Sequence, residues 1–247
     1  MSKVTFGLVG KNISYSFSRG YFTEKFKKEG IENHHYINFD LQDISVLKKV
    51  IEIKENGLKG LNVTIPYKQE VQQFLTSLDK DAEEIGAVNT IKLNDDGTVV
   101  GYNTDVYGFQ KSIEPFIKLH HTKALILGTG GASKAVAYAF KKLGVAYKFV
   151  SRTATDTVFG YHQLSQEIVE EYTVIVNCSP LGTAPEVELK PEIPYQFINS
   201  NHLLFDLIYN PSETTFLRLG REQGAATKNG LQMLELQAEK SWAIWNS

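Results

Sequence analysis

The sequence predicts an α/β protein of two domains, and three observations carry that prediction. The chain has 247 residues, enough for two modest domains that each bury a core. Its N-terminal part orders strand-like and helix-like segments as β-α-β-α-β. Near the middle, the short apolar run Ala124 to Leu127 ends in a glycine-rich turn, followed by a helical stretch and a second strand. That order suits a parallel sheet whose strands are buried on both faces.

Taken in chain order, Val4 to Val9 reads as a first strand, leading through Gly10-Lys11-Asn12-Ile13 to a serine-rich turn, Ser14-Tyr15-Ser16-Phe17-Ser18. A helix is expected from Arg19 to Lys28. One serine can cap that helix, and three hydroxyls alternating with aromatics can also hydrogen-bond a polyhydroxylated ligand. His35 to Phe39 is expected as a strand, Ile44 to Glu55 as a helix and Gly60 to Ile65 as a third strand. Pro66 stops this strand and puts Lys68 at the head of a following helix. Asn62 and Thr64 lie two apart, on one face of the strand. A buried parallel strand normally keeps such positions apolar, so polar groups at its carboxyl end point toward a crevice. The plainer reading of Lys68 is a solvated lysine in a first helical turn.

Asp79 to Glu84 is expected to be helical, and IGAVNTIKL, with Asn89 and Thr90, is strand-like. Asn94-Asp95-Asp96-Gly97 makes a hairpin turn to Thr98-Val99-Val100. The hairpin delivers Gly101-Tyr102-Asn103-Thr104-Asp105 to a helix expected from Val106 to Ile117. Asp105 can serve there as an N-terminal acid favoured by the helix dipole.

The turn after Leu127 reads Gly128-Thr129-Gly130-Gly131-Ala132-Ser133. Its glycines allow a tight turn and a close approach to a ligand. Ala132 and Ala135 keep the next helix, Ser133 to Leu143, near the sheet. Free N–H groups at that helix start suit a pyrophosphate. Ser133 stands where the third glycine of G-x-G-x-x-G would be, so the turn alone is weak evidence of a nucleotide. The strand Ala146 to Val150 ends in Ser151-Arg152-Thr153, where an acid would bind the 2′-hydroxyl of NAD. A guanidinium flanked by hydroxyls suits a 2′-phosphate instead, and NADP is the expected cofactor.

Formal net charge is −2, with acids and bases mixed. This pattern excludes a basic face for nucleic acid and a polybasic membrane anchor, leaving a small molecule as partner. No apolar run approaches the ~20 residues of a membrane span, and the N-terminus enters a strand directly, so a cytoplasmic protein is expected. Cys178 is the single cysteine, and the six histidines show no His-x-x-x-His spacing. No metal is therefore expected.

Together these segments resemble the shikimate dehydrogenases. The matching stretches are S-x-S at Ser16 and Ser18, NVTIPYK at Asn62 to Lys68, GAVNT at Gly86 to Thr90, GYNTD at Gly101 to Asp105, and GTGGAS. They continue with SRT at Ser151 to Thr153, VNCSPLGT at Val176 to Thr183, DLIYNP at Asp206 to Pro211, and NGLQMLELQA at Asn229 to Ala238. The resemblance implies a shikimate-binding domain formed by 1–104 plus 230–247 and a Rossmann-type NADP domain formed by 105–229. It implies NADPH-dependent reduction of 3-dehydroshikimate to shikimate, on the way to chorismate and the aromatic amino acids, by a monomer or homodimer.

Carried over residue by residue, Ser16, Ser18, Asn62, Thr64, Asn89 and Gln237 resemble the substrate set, with Lys68 and Asp105 the catalytic pair. Tyr209 and Gly230 resemble positions near the nicotinamide, with Tyr209 also counted toward substrate. The cofactor set is Gly128 to Ser133, Ser151, Arg152, Thr153, Asn177, Ser179, Leu181 and Gly230. Cys178 reads as packing. Tyr15, Phe17 and Arg19 depart from the family's usual His-Ser-Lys-Ser-Pro, Gln232 replaces a small residue, and the segment between Thr153 and Val158 is short. The alternatives are a paralogue acting on quinate and a non-catalytic NADP sensor, against which the retained Lys68 and Asp105 argue.

Overall fold

The computed structural model describes residues 3–14, 16–52 and 57–247. The chain divides into two compact units, Met1–Thr104 with Ala238–Ser247, and Asp105–Gln237. The return to the first unit, expected at residue 230, falls at Ala238. Gly108 explains the shift: a Cβ there would press on the backbone and side chain of Gln237 and on the carbonyl of Met233, so the start of the C-terminal helix packs within the second unit.

The first unit runs β1 (Val4–Gly10), α1 (Phe17–Lys28), β2 (His34–Asp40), α2 (Leu47–Glu52), β3 (Leu58–Val63), β4 (Ser77–Leu78), α3 (Lys80–Ile85), β5 (Thr90–Leu93) and β6 (Val99–Tyr102). These strands form one sheet in the order β2-β1-β3-β5-β6-β4. β1 is parallel to β2 and β3, whereas β5 is antiparallel to β3 and to β6. The antiparallel pairing sets Asn62 directly opposite Thr90.

α1 starts two residues earlier than expected, because Ser16 caps it by accepting the N–H of Arg19 at 3.4 Å. The helix expected from Ile44 opens as a 3-10 turn at Ile44–Val46 before α2, and the last residues expected in it, 53–55, lie outside the described residues.

β3 ends at Val63 instead of Ile65, and no α-helix follows Pro66. A turn leads instead to a 3-10 helix at Glu70–Phe74. An α-helix through Lys68 needs its carbonyl to accept the N–H of Gln72. Here the N–H of Val88 takes that carbonyl at 2.7 Å, and Gln72 bonds Gln69 instead.

The second unit runs α4 (Asp105–Ile113), β7 (Lys123–Leu127), α5 (Gly131–Leu143), β8 (Ala146–Ser151), β9 (Val158–Gly160), α6 (Gln166–Glu171), β10 (Val174–Asn177), β11 (Leu203–Asp206), α7 (Thr215–Glu222) and β12 (Ala226–Lys228). Its sheet, ordered β12-β11-β10-β7-β8-β9, is parallel throughout. Residues 124–127 are fully buried, as expected of a central parallel strand. α4 stops at Ile113 and gives way to a 3-10 turn at Glu114–Phe116, because Pro115 has no N–H to continue the ladder.

The last helix, α8 (Leu231–Trp245), leaves the second unit and ends in the first. There Trp245 and Ala238 join a core of Phe6, Leu8, Phe22, Phe26 and Tyr36. Trp245 stacks on Phe6 with ring centroids 4.8 Å apart, and its indole N–H donates to the carbonyl of Ile91 at 2.9 Å. Gly60 makes room for that indole, since a Cβ would overlap Trp245 Nε1. Among the described residues no helix is long and apolar enough to cross a membrane.

Candidate functional site

In the first unit the polar residues collect where β3 and β6 end and β5 begins. Asn62 is buried, and its carboxamide is engaged by the protein: Oδ1 accepts Tyr36 O–H at 2.8 Å, while Nδ2 faces Ser241 Oγ at 3.0 Å and Thr90 Oγ1 at 3.2 Å. Tyr36 is also hydrogen-bonded to Ser18, which ties the serine turn to the same polar group. Asn89 Oδ1 accepts the N–H of Thr104 at 2.7 Å.

Thr64 stands just past β3, where its N–H donates to the carbonyl of Val9 at 2.8 Å. Lys68 is anchored at the backbone by Val88. Asn62, Asn89 and Ser18 thus share one connected polar group in the first unit, with Thr64 and Lys68 on the turn after β3. Asp105 belongs to the second unit; it follows Thr104 in the chain and opens α4, at the helix start expected for it. Gln237 closes the second unit, and its Nε2 donates to the carbonyl of Leu234 at 3.0 Å.

In the second unit the glycine-rich turn lies between β7 and α5. Gly128 has φ +113°, a conformation open to glycine, and its N–H donates to the carbonyl of Val150. Gly130 is the cap residue of α5 and Gly131 its first residue; a Cβ on either would meet nothing within 4 Å. Thr129 and Ala132 flank this open helix start. Ser133 is fully buried and donates to the carbonyl of Gly130 at 2.6 Å. It therefore shapes the turn and packs where a third glycine would sit.

At the end of β8, the Ser151 hydroxyl lies 2.5 Å from the carbonyl of Thr153 and 3.2 Å from its N–H. This local turn leaves Arg152 exposed at its apex. Among the described residues no carboxylate pairs with its guanidinium. The short segment after Thr153 leads to β9, a three-residue strand at the sheet edge.

The loop after β10 is also built from inside. Asn177 Oδ1 accepts both the N–H and the hydroxyl of Ser179, at 3.0 and 2.6 Å, while its Nδ2 donates to Asp206 at 3.1 Å and toward the carbonyl of Leu181 at 3.4 Å. Asp206 is fully buried and accepts further bonds from Thr214 Oγ1 at 2.6 Å and Ile208 N–H at 3.0 Å. Burial pushes its carboxyl up to about 6 despite these donors. Burial and the neighbouring Asp206 also push the Cys178 thiol up, which fits packing and not nucleophilic chemistry. Tyr209 is partly exposed. Gly230 meets the backbone of Leu207 so closely that a Cβ would overlap its carbonyl oxygen.

The family described as the shikimate dehydrogenase substrate binding domain matches residues 8–91. A protein of Methanococcus aeolicus named shikimate dehydrogenase (NADP(+)) is 35% identical, over 97% of this chain and 90% of the relative. The chain belongs to the shikimate dehydrogenase family. The crystal structure of shikimate dehydrogenase 1 from Peptoclostridium difficile is 38% identical, with a TM-score of 0.84 over 98% of this chain and 91% of that one. A quinate dehydrogenase of Corynebacterium glutamicum, solved with NAD, superposes with a TM-score of 0.87 at 25% identity, over 99% of this chain and 94% of that one.

For a shikimate dehydrogenase family member, the sequence reading passed over four residues that organise these sites: Tyr36, Thr90, Ser241 and Asp206. Thr90 and Asp206 lay inside quoted motifs without a role. Ser241 carried one signal, its position four residues after Gln237, which puts the two on one helical face.

Proposed function

We propose that this chain is an NADP-dependent shikimate dehydrogenase, an oxidoreductase that reversibly reduces 3-dehydroshikimate to shikimate. The observation that carries this reading is the near full-length match to a protein named for that activity, and the substrate and cofactor motifs fall along the chain in order. The open start of α5 at Gly130 and Gly131 and the exposed Arg152, with which no carboxylate among the described residues pairs, fit a dinucleotide with a 2′-phosphate.

When bound, NADPH supplies the hydride for the ketone carbon. Lys68 gives the ketone oxygen its proton in reduction and takes it back in oxidation. Asp105 is the other member of the catalytic pair and binds the substrate hydroxyl. Ser16, Ser18, Thr64, Asn89, Gln237 and Tyr209 hold the rest of the ring acid, and Asn62 supports them through its buried amide. Asn89 meets the substrate as a donor because its oxygen is taken by Thr104. The loop Asn177, Ser179 and Leu181, with Gly230, borders the nicotinamide, and Ser151 and Thr153 present Arg152 to the phosphate. The mixed charge of the chain supports a small-molecule partner over nucleic acid, and we place the enzyme in the cytoplasm as a monomer or homodimer.

Purified protein assayed with shikimate and quinate, against NADP and NAD, tests the reading. Turnover of shikimate with NADP supports it. Turnover of quinate alone would assign the chain to the paralogous activity represented among its structural neighbours, and absence of turnover with either acid would leave an NADP-binding protein without this chemistry.

A further inference from the structure

Thr90 is fully buried, and its hydroxyl lies at the centre of a polar group drawn from four parts of the first unit. Oγ1 is 2.8 Å from Ser241 Oγ, 3.1 Å from Asn89 Oδ1, 3.1 Å from Thr104 Oγ1 and 3.2 Å from Asn62 Nδ2. Ser241, on α8, is also fully buried, and it reaches Asn62 at 3.0 Å and Thr104 at 3.2 Å.

A group of this kind has a direction. The Nδ2 of Asn62 can only donate and the Oδ1 of Asn89 can only accept, so the hydroxyls between them carry hydrogen bonds from one amide to the other. A satisfied buried network holds its members in one arrangement. The arrangement here holds the Asn89 oxygen within the network and also pins α8 to the end of β3 and the start of β5.

We propose that Thr90 and Ser241 are a pair of positioning residues for the dehydrogenase. They act through Asn89 and through the seating of α8, and set how well the ring acid is held. The inference rests on the shikimate dehydrogenase activity proposed above. Neither residue has a role in the hydride or proton transfer itself, so their loss should raise KM for shikimate more than it lowers kcat.

The test compares wild type with Thr90→Val, Thr90→Ser, Ser241→Ala and the double variant Thr90→Val/Ser241→Ala. Thr90→Val keeps the shape and removes the hydroxyl, whereas Thr90→Ser keeps the hydroxyl and removes the methyl. Loss of one buried hydrogen-bonding group should raise KM for shikimate by about three- to tenfold, with kcat changed by less than about twofold and KM for NADP unchanged. Thr90→Ser should return KM to near the wild-type value. The double variant should cost less than the product of the single effects, because both residues act in one network.

Thermal denaturation of each variant separates this role from plain support of the fold. Variants that melt earlier yet keep the wild-type KM for shikimate would overturn the proposal. If Thr90→Val does not fold, Ser241→Ala decides, since alanine suits a helix interior. Failure of the wild type to turn over shikimate would overturn the activity, and the pair's role with it. The unsubstituted control reports that result separately.

Discussion

Replacing Asp206 by asparagine should change the pH dependence of stability in a direction opposite to that usual for a carboxylate. The Asp206 carboxyl is fully buried, and its pKa rises from 3.8 to about 6 in the folded protein. The folded state therefore holds the proton more tightly than the unfolded chain. The associated stability is complete below the unfolded value of 3.8, declines as pH rises, and is lost above about 6. A shift of about two units corresponds to roughly 3 kcal/mol across the whole range. Between pH 5 and pH 7 the linkage integral gives about 1 kcal/mol.

The substituted amide would keep an oxygen for Ile208 N–H and Asn177 Nδ2, while its NH2 would face Thr214 with the hydroxyl turned round. Urea denaturation of wild type and Asp206→Asn at several pH values in this range checks the magnitude. Comparing the two proteins cancels the surface carboxylates, such as Asp43 and Glu213, whose pKa values are lowered by hydrogen bonds. The wild type should gain about 1 kcal/mol on the variant as pH falls from 7 to 5. Parallel stability curves would show that Asp206 is ionised in the folded protein as readily as in the unfolded chain, and would refute the reasoning.

Lys68→Ala should lower kcat by about 10²–10⁴-fold, the usual contribution of a general acid–base group, with NADP binding measured by calorimetry nearly unchanged; an unimpaired kcat would leave Lys68 as a solvated lysine. Arg152→Ala should weaken NADP by about ten- to a hundredfold, the worth of a charge-assisted hydrogen bond, and leave NAD alone in a side-by-side titration. Wild type that binds both cofactors equally would put the phosphate elsewhere. Trp245→Ala should destabilise the protein by about 3–5 kcal/mol through the cavity left beside Phe6 and Phe22, read as a lower urea midpoint. A loss below about 1 kcal/mol would mean that the end of α8 adds little to that core.

The α/β class, the two-domain division and the family were legible in the sequence, because they rest on local rules. Residues 124–127 are a short apolar run wherever they occur, Gly128, Gly130 and Gly131 announce a tight turn and an open helix start, and Arg152 carries its charge whatever surrounds it. The motifs that carry the family resemblance could be read for the same reason, as residue types at fixed spacings.

Only the tertiary structure decided which of those polar residues work from within. Asn62 reads from sequence as a strand-end ligand group, but antiparallel β5 sets Thr90 opposite it and α8 brings in Ser241 from 179 positions away. Lys68 reads as a helix start, but the N–H of Val88 takes its carbonyl and the helix does not form. Asp206 reads as one more acid in a motif, and its raised pKa comes from complete burial at the end of an interior parallel strand. A hydrogen-bond partner or a burial is a property of two or more segments at once. Local spacing fixes which groups a residue offers, and the packing of distant segments fixes which of them are already taken.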